Sequence, residues 1–384
     1  MEPTIHTAMI EPVGGHCGMH YYDFSLCRGL LAAGCQVSLY TCDETAPPAI
    51  PGLRFYPVYR QVFGRGSRWI RACRYLRGTV GALARALIGR QKICHLHLFQ
   101  GEKEELSLVL LARLCGRRVI ITVHDIEAFA PVATSHSAIL KVYGLAEAFI
   151  VHNCVSMKEL QSLGIPSSRI RVIPHGHYLE TMREMPPQAE ARRALGIAES
   201  ARVVLFFGQI KDVKGLDILI QAMPAIAIEV ADVTFLIAGR PLRTDFSTYE
   251  ELIDRLGVRA RCRLHIGFVP DDEVAKYYAA ADVVVLPYRR IYQSGVLLMA
   301  MSYGRPAVVS DLPGMTEMIT DGHNGYVFTQ GSKDALAATL IRVLQDDQGR
   351  ARAAARGLEY IRQHHDWEKI GKTTSELYRS VLRR

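Results

Sequence analysis

The chain has no C-x-x-C pair, no G-x-G-x-x-G loop and no apolar run near the roughly 18 residues that a membrane-spanning helix needs. Its nine cysteines are an odd number and are scattered, which argues against a zinc site or a disulfide framework. The expectation is buried, reduced thiols and no structural metal. The opening residues, MEPTIHTAMIEPVGGH, lack the charged start and apolar run of a secretory signal, so a cytoplasmic protein is expected. Internal repeats and low-complexity segments are missing as well. What is present is 49% hydrophobic and 22% charged residues over 384 positions, enough apolar surface for two compact domains and too much for a disordered chain.

Acidic residues are missing from one long stretch. Between Glu44 and Glu102 none occurs, while Arg54, Arg60, Arg65, Arg68, Arg71, Arg74, Arg77, Arg85, Arg90 and Lys92 all do. The net charge of +8 is therefore concentrated, and it points to an anionic partner. Arginines at every third position from Arg65 to Arg77, with Trp69, Ile70, Tyr75 and Leu76 among them, form a drifting stripe on a helix expected over 67–88. Such a helix suits an anionic membrane surface or an acidic substrate, and a solvated surface helix gives the same pattern. No nucleic-acid module accompanies the charge, so nucleic acid is not an expected partner.

Short apolar runs alternate with helical patterns in both halves, which gives the fold class α/β with parallel sheets. Strands are expected at 7–10, 36–40, 93–98, 119–123, 148–152 and 171–173, and again at 203–207, 234–238, 263–266, 283–287 and 307–310. The polar, proline-bearing stretch 181–200 reads as a linker between a domain at 1–180 and one at 201–350. The arginine-rich helical pattern 351–384 is expected to return toward the first domain. Two such α/β units place ligands at the carboxyl ends of their strands, in a cleft between them.

Two loops stand out. Glu11-Pro-Val-Gly-Gly-His-Cys-Gly-Met19 follows the first strand and opens the first helix, where glycines permit close approach and a helix start offers N–H groups. Gly208-Gln-Ile-Lys-Asp-Val-Lys-Gly215 does the same after the first strand of the second half, and its two lysines suit a diphosphate.

With FFGQIKDVKGLDILIQAMP from Phe206, LPYRRIYQSGVLLMAMSYGRPAVVSDLPGMTEMITDGHNG from Leu286, Val172-Ile-Pro-His-Gly176 and the late His365-Asp366-Trp367, the chain resembles the retaining glycosyltransferases of family 4. Their GT-B fold has two Rossmann-like domains facing across a cleft, and the resemblance covers nearly the whole chain. It implies that Lys211 and Lys214 neutralise a departing donor diphosphate and that His124 reaches the reacting sugar. It also implies that Gly14, Gly15, Gly208 and Arg240 border the donor, with Ser294, Gly295, Val296 and Leu297 binding phosphate oxygens at a helix start. Arg65, Arg68, Trp69, Arg71 and Arg74 become candidates for a membrane or acceptor surface.

One departure is plain. The two glutamates that family members often carry seven residues apart are replaced here by Ile291 and Met299, neither of which accepts a hydrogen bond. Gln293, Tyr288 and Glu317 are the candidates to substitute. The expected function is transfer of a hexose from a GDP- or UDP-linked sugar to a sugar or lipid-linked oligosaccharide, in polysaccharide or glycoconjugate synthesis. No cofactor is expected beyond the nucleotide-sugar co-substrate, and no metal, because the chain has no D-x-D. The protein is expected to be cytoplasmic, at the inner membrane face if the arginine helix binds lipid. Two alternatives stay open: a non-catalytic nucleotide-sugar-binding protein, and an epimerase or phosphorylase of similar fold.

Overall fold

The computed structural model describes residues 4–17, 19–98, 103–124 and 144–384. The chain divides into two units, one of residues 1–176 with 365–384 and the other of residues 177–364.

In the first unit the strands are β1 (His6–Ile10), β2 (Gln36–Cys42), β3 (Arg54–Tyr59), β4 (Ile93–Leu98), β5 (Arg118–Val123), β6 (Ala148–Val151) and β7 (Ile170–Val172). Among the described residues they form one sheet in the order β3-β2-β1-β4-β5-β6-β7, parallel throughout. The order reverses between β1 and β4, so the loops leaving these two strands diverge to opposite faces and open a crevice at their carboxyl ends. The inner strands are buried on both faces; β5 and β6 are accordingly close to apolar runs, whereas buried Thr7, Ser38 and Thr41 interrupt β1 and β2. β3, not expected from the sequence, is an edge strand; Pro57 cannot donate to a ladder and is tolerated only there.

The second unit repeats the plan with β8 (Arg202–Phe207), β9 (Val233–Gly239), β10 (Cys262–Ile266), β11 (Val283–Leu286), β12 (Ala307–Ser310) and β13 (Tyr326–Phe328). Their order is β10-β9-β8-β11-β12-β13, parallel throughout, and the reversal falls between β8 and β11. Each unit is therefore a Rossmann-like domain with its switch point beside its first strand.

The linker expected at 181–200 is corrected by the structure. Its helix, Gln188–Ala194, belongs to the second unit, with Ala191, Leu195 and Ile197 in the core. Arg192 is buried there, its Nη2 donating to Asp282 Oδ2 at 2.8 Å and its Nε to the Ala280 carbonyl at 3.1 Å. The expected C-terminal segment is also divided. Asp347–His364 stays with the second unit, whereas Trp367–Arg383 packs in the first against α1 (His20–Ala32). Gly29 and Gly371 make that crossing close: a Cβ on Gly29 would lie 2.2 Å from the Trp367 carbonyl oxygen. Trp367 fills the space over Gly176, where a Cβ would meet the indole at 2.1 Å. Among the described residues no helix is long and apolar enough to cross a membrane.

Candidate active site

In the second unit, the carboxyl ends of β8, β9 and β11 bring together most of the residues singled out from the sequence. Gly208 and Gly239 meet where β8 and β9 end. Both have positive φ, and a Cβ on Gly239 would fall 1.8 Å from the Gly208 carbonyl oxygen, so neither position tolerates a side chain. Beyond them the Ile210 N–H donates to the Arg240 carbonyl at 2.9 Å, which ties the two loops together; the Arg240 side chain is exposed.

The lysine turn is held from the other side. Lys211 precedes a single 3-10 turn, Asp212–Lys214, and Gly215 leaves it in the left-handed conformation, packed so tightly on the Pro287 carbonyl that a Cβ would sit 2.0 Å away. Lys214 Nζ lies 3.8 Å from the ring centre of Tyr288, the buried residue that leaves β11. Arg289, which the sequence reading missed, clamps the turn: its backbone N–H donates to the Val213 carbonyl at 2.8 Å, and its guanidinium pairs with both oxygens of Asp217 at 2.8 and 2.6 Å. The forked pairing holds its charge more firmly than usual. An arginine three residues after β11 gave no sequence signal, because its carboxylate partner lies 72 positions earlier.

Ser294 caps the helix Gly295–Ser302, its Oγ accepting from the Leu297 N–H at 3.2 Å. The Leu297 N–H is thereby committed, and its side chain is in the core; Gly295 and Val296 are left to present the first N–H groups of the helix. Ile291 and Met299 pack partly buried against the same core, and Glu317 is exposed. Phe268, after β10, is 74% exposed close to Gly239, whose carbonyl accepts from the Gly267 N–H at 3.0 Å.

In the first unit, the loop after β1 is internally occupied. The buried Glu11 carboxylate accepts from the Val13 N–H at 2.8 Å and from the Gly14 N–H, while the Gly15 N–H donates to Thr45 Oγ1 at 2.9 Å. Side chains on either glycine would collide with Thr41, Glu44 or Thr45. Any ligand therefore meets these glycines by close approach and not through their N–H groups.

His124, at the end of β5, lies in a nest of imidazoles that the sequence did not reveal as a group. His95 and His97 alternate along β4, and His152 and His175 follow β6 and β7, all packed about the ring of Tyr22 or one another. His124 Nε2 is 3.4 Å from His97 Nδ1, which in turn is 3.2 Å from Asp23 Oδ1. Burial, reinforced by the neighbouring rings, pushes His124 well below the ordinary histidine range. It also brings His97 and His175 down to about 3 and His152 to about 4, and raises Asp23 to about 8. Glu11 is raised well above the carboxylate range by burial and by Asp23. The nest is thus electrically neutral at neutral pH, with its protons on the acids.

The arginine helix α2 (Arg68–Ile88) starts from a Ser67 cap, Ser67 Oγ accepting from the Ile70 N–H at 3.4 Å. Arg65, Arg68 and Arg71 are exposed, as is Trp69 at 82%. Arg74 is not free to reach a surface ligand with its whole guanidinium, since its Nη1 donates to the carbonyls of Gln61 and Arg65, both at 3.1 Å. Among the described residues no group of three or more histidine, cysteine, aspartate or glutamate side chains is placed to hold a metal ion.

Comparison with known proteins follows the same division. The family model described as Glycosyltransferase Family 4 matches residues 18–181, and that described as Glycosyl transferases group 1 matches residues 201–346. A D-inositol 3-phosphate glycosyltransferase of Xylanimonas cellulosilytica is 27% identical over 99% of this chain and 96% of its own length. A phosphatidyl-myo-inositol mannosyltransferase of Mycolicibacterium smegmatis is 27% identical over 74% of this chain and 71% of its own. Among solved structures, Anabaena HepE in complex with UDP superposes with a TM-score of 0.74 at 20% identity, covering 98% of this chain and 100% of that one. With both halves matched and the double Rossmann-like fold in place, the chain belongs to the GT-B glycosyltransferases of the family 4, group 1 kind.

Proposed function

We propose that the protein is a retaining hexosyltransferase that takes its sugar from a UDP- or GDP-linked donor and passes it to a sugar or lipid-linked acceptor. The observation that carries the reading is the lysine turn, fixed from two sides by Gly215 on Pro287 and by Arg289 on Asp217. Such a turn presents Lys211 and Lys214 as preorganised charge. As the bond between sugar C1 and the donor phosphate breaks, negative charge grows on the leaving diphosphate, and ammonium groups already in place stabilise it without reorganising. The first N–H groups of Gly295 and Val296 add donors of the same sense. Two ammonium groups in this role make the transfer metal-independent. The new bond forms on the face the phosphate leaves, and the acceptor proton passes to a phosphate oxygen of the departing nucleoside diphosphate. His124, kept neutral by its surroundings, serves as a hydrogen-bond partner for the sugar and not as a cation.

An acceptor carried by lipid agrees with the exposed Trp69 and the arginines of α2, and the mycolicibacterial relative is named for a phosphatidylinositol acceptor. The reading places the protein in the cytoplasm at the inner membrane face. Ile291 and Met299 favour a second reading, a protein that binds nucleotide sugar without consuming it, because no carboxylate stands at either position.

The test is mass spectrometry of the purified protein with UDP-, GDP- and ADP-sugars, with and without lipid extract and with a chelator throughout. Release of nucleoside diphosphate from one donor, increased by extract and lost in Lys214→Ala, is expected. Binding without release from any donor establishes the second reading, and release that Lys214→Ala leaves intact removes the lysine turn from the mechanism.

A further inference from the structure

The arginines that the sequence places on one stripe are separated by the fold. Arg68 and Arg71 line a depression that also contains Glu104 and Glu105. Arg74, Arg77 and Arg85 turn instead toward the edge strand β3 and, with Arg60, line a groove of about 780 Å³. We propose that this second groove is a phosphate-binding subsite for a phosphomonoester or diphosphate group, apart from the loops that carry the candidate active site.

The groove is built by backbone proximity. A Cβ on Gly78 would come within 2.5 Å of the Tyr59 ring, so only glycine lets α2 lie this close to β3. One turn later Gly81 leaves the wall open: a Cβ there would meet nothing nearer than Arg85 Nη1, at 3.5 Å. Tyr56, Pro57, Val58 and Val80 make the apolar part of the lining. Since β3 is the edge of its sheet, the groove faces outward.

Its charge is unbalanced. Among the described residues four guanidinium groups and no carboxylate line it, in a stretch of chain that holds no acidic residue from 45 to 101. Two of the four are held in place by the protein itself. Arg74 Nη1 is anchored on the carbonyls of Gln61 and Arg65, and Arg85 Nη1 donates to the Gly81 carbonyl at 3.1 Å while its guanidinium lies 5.8 Å over the Tyr56 ring. Each retains further N–H donors. Arg60 and Arg77 are exposed and form no ion pair among the described residues. Like charges three residues apart on a helix repel, so Arg74 and Arg77 cost stability in the empty groove and regain it when an anion binds. A planar fork of donors favours phosphate, and several forks favour a group carrying two negative charges over the single charge of a phosphodiester. The volume exceeds what one phosphate fills, which leaves room for the body that carries it.

The inference does not rest on sugar transfer, because the groove would bind its anion whether or not a donor is consumed. The ligand has two sources, a soluble phosphate compound or the headgroup of a lipid, and the experiment separates them. Full-length protein is titrated calorimetrically with inorganic pyrophosphate, and its flotation is measured with phosphatidylcholine vesicles containing phosphatidate or phosphatidylglycerol. The test variant is Arg60→Gln with Arg77→Gln, and the comparison variant is Arg68→Gln with Arg71→Gln, both checked for unchanged thermal unfolding. Pyrophosphate binding that weakens about tenfold or more in the first variant and not in the second supports the subsite. Preference for phosphatidate over phosphatidylglycerol, lost in the same variant, assigns it to lipid, and equal flotation on both vesicles assigns it to a soluble compound. Failure of the unaltered protein to bind pyrophosphate, or equal weakening in the two variants, overturns the proposal.

Discussion

Acidification from about pH 7 to about pH 5 is expected to weaken the first unit by about 3 kcal/mol, through the imidazole nest around Tyr22. His97, His152 and His175 are held down to about 3 to 4 by burial. The unfolded chain, whose histidines titrate at about 6.5, takes up protons across this interval while the folded chain does not. Stability from these rings is therefore present above the ordinary histidine value and is lost as pH falls below it. Each ring loses about 2 kcal/mol over the interval, or about 6 together. Asp23 acts in the opposite sense. Raised to about 8, it keeps its proton when folded and is ionised when unfolded, a cost at neutral pH that shrinks by about 3 kcal/mol on reaching pH 5. His95 and His124 add to the loss and Glu11 to the offset. The chain has two tryptophans, one 82% exposed at position 69 and one 2% exposed at position 367, beside His175 and Tyr22. In Trp69→Phe, urea unfolding followed by fluorescence reports the first unit alone. A midpoint that stays level or rises between pH 7 and pH 5 would refute the neutral nest, and His152→Gln should diminish the fall by about one ring's share.

Arg289→Met should release the lysine turn, lowering kcat/KM by about tenfold or more through kcat while moving the second unit's unfolding by only about 1 kcal/mol; steady-state kinetics beside calorimetry show the split. Gly29→Ala should cost about 2 kcal/mol or more, because the added methyl meets the Trp367 carbonyl, and the same fluorescence titration measures it. Asp282→Asn leaves Arg192 buried without its carboxylate and should cost the second unit about 3 kcal/mol, seen as lost hydrogen-exchange protection in β8 and β11.

The sequence by itself determined the α/β class, nearly every inner strand and the two glycine-bearing loops. Strands buried on both faces are rich in apolar residues, and a strand-to-helix turn under steric pressure needs glycine, so both constraints are local and leave a local mark. The resemblance at 206–224 and 286–325 located the lysine turn and the helix at Gly295. What tertiary structure decided is whatever depends on residues distant in the chain. Arg289 finds Asp217 across the β8–β11 switch, Ala191, Leu195 and Ile197 join the core of the second unit where Arg192 meets Asp282, and the last helix joins the first unit through two glycines more than three hundred positions apart. β3 left no strand signal in the sequence, because a segment carrying proline pairs only at the edge of a sheet, and that position is set by the fold. The five histidines were visible singly; their common neutrality arises from mutual burial at the ends of β4 to β7, a property of the packed sheet and of no segment within it.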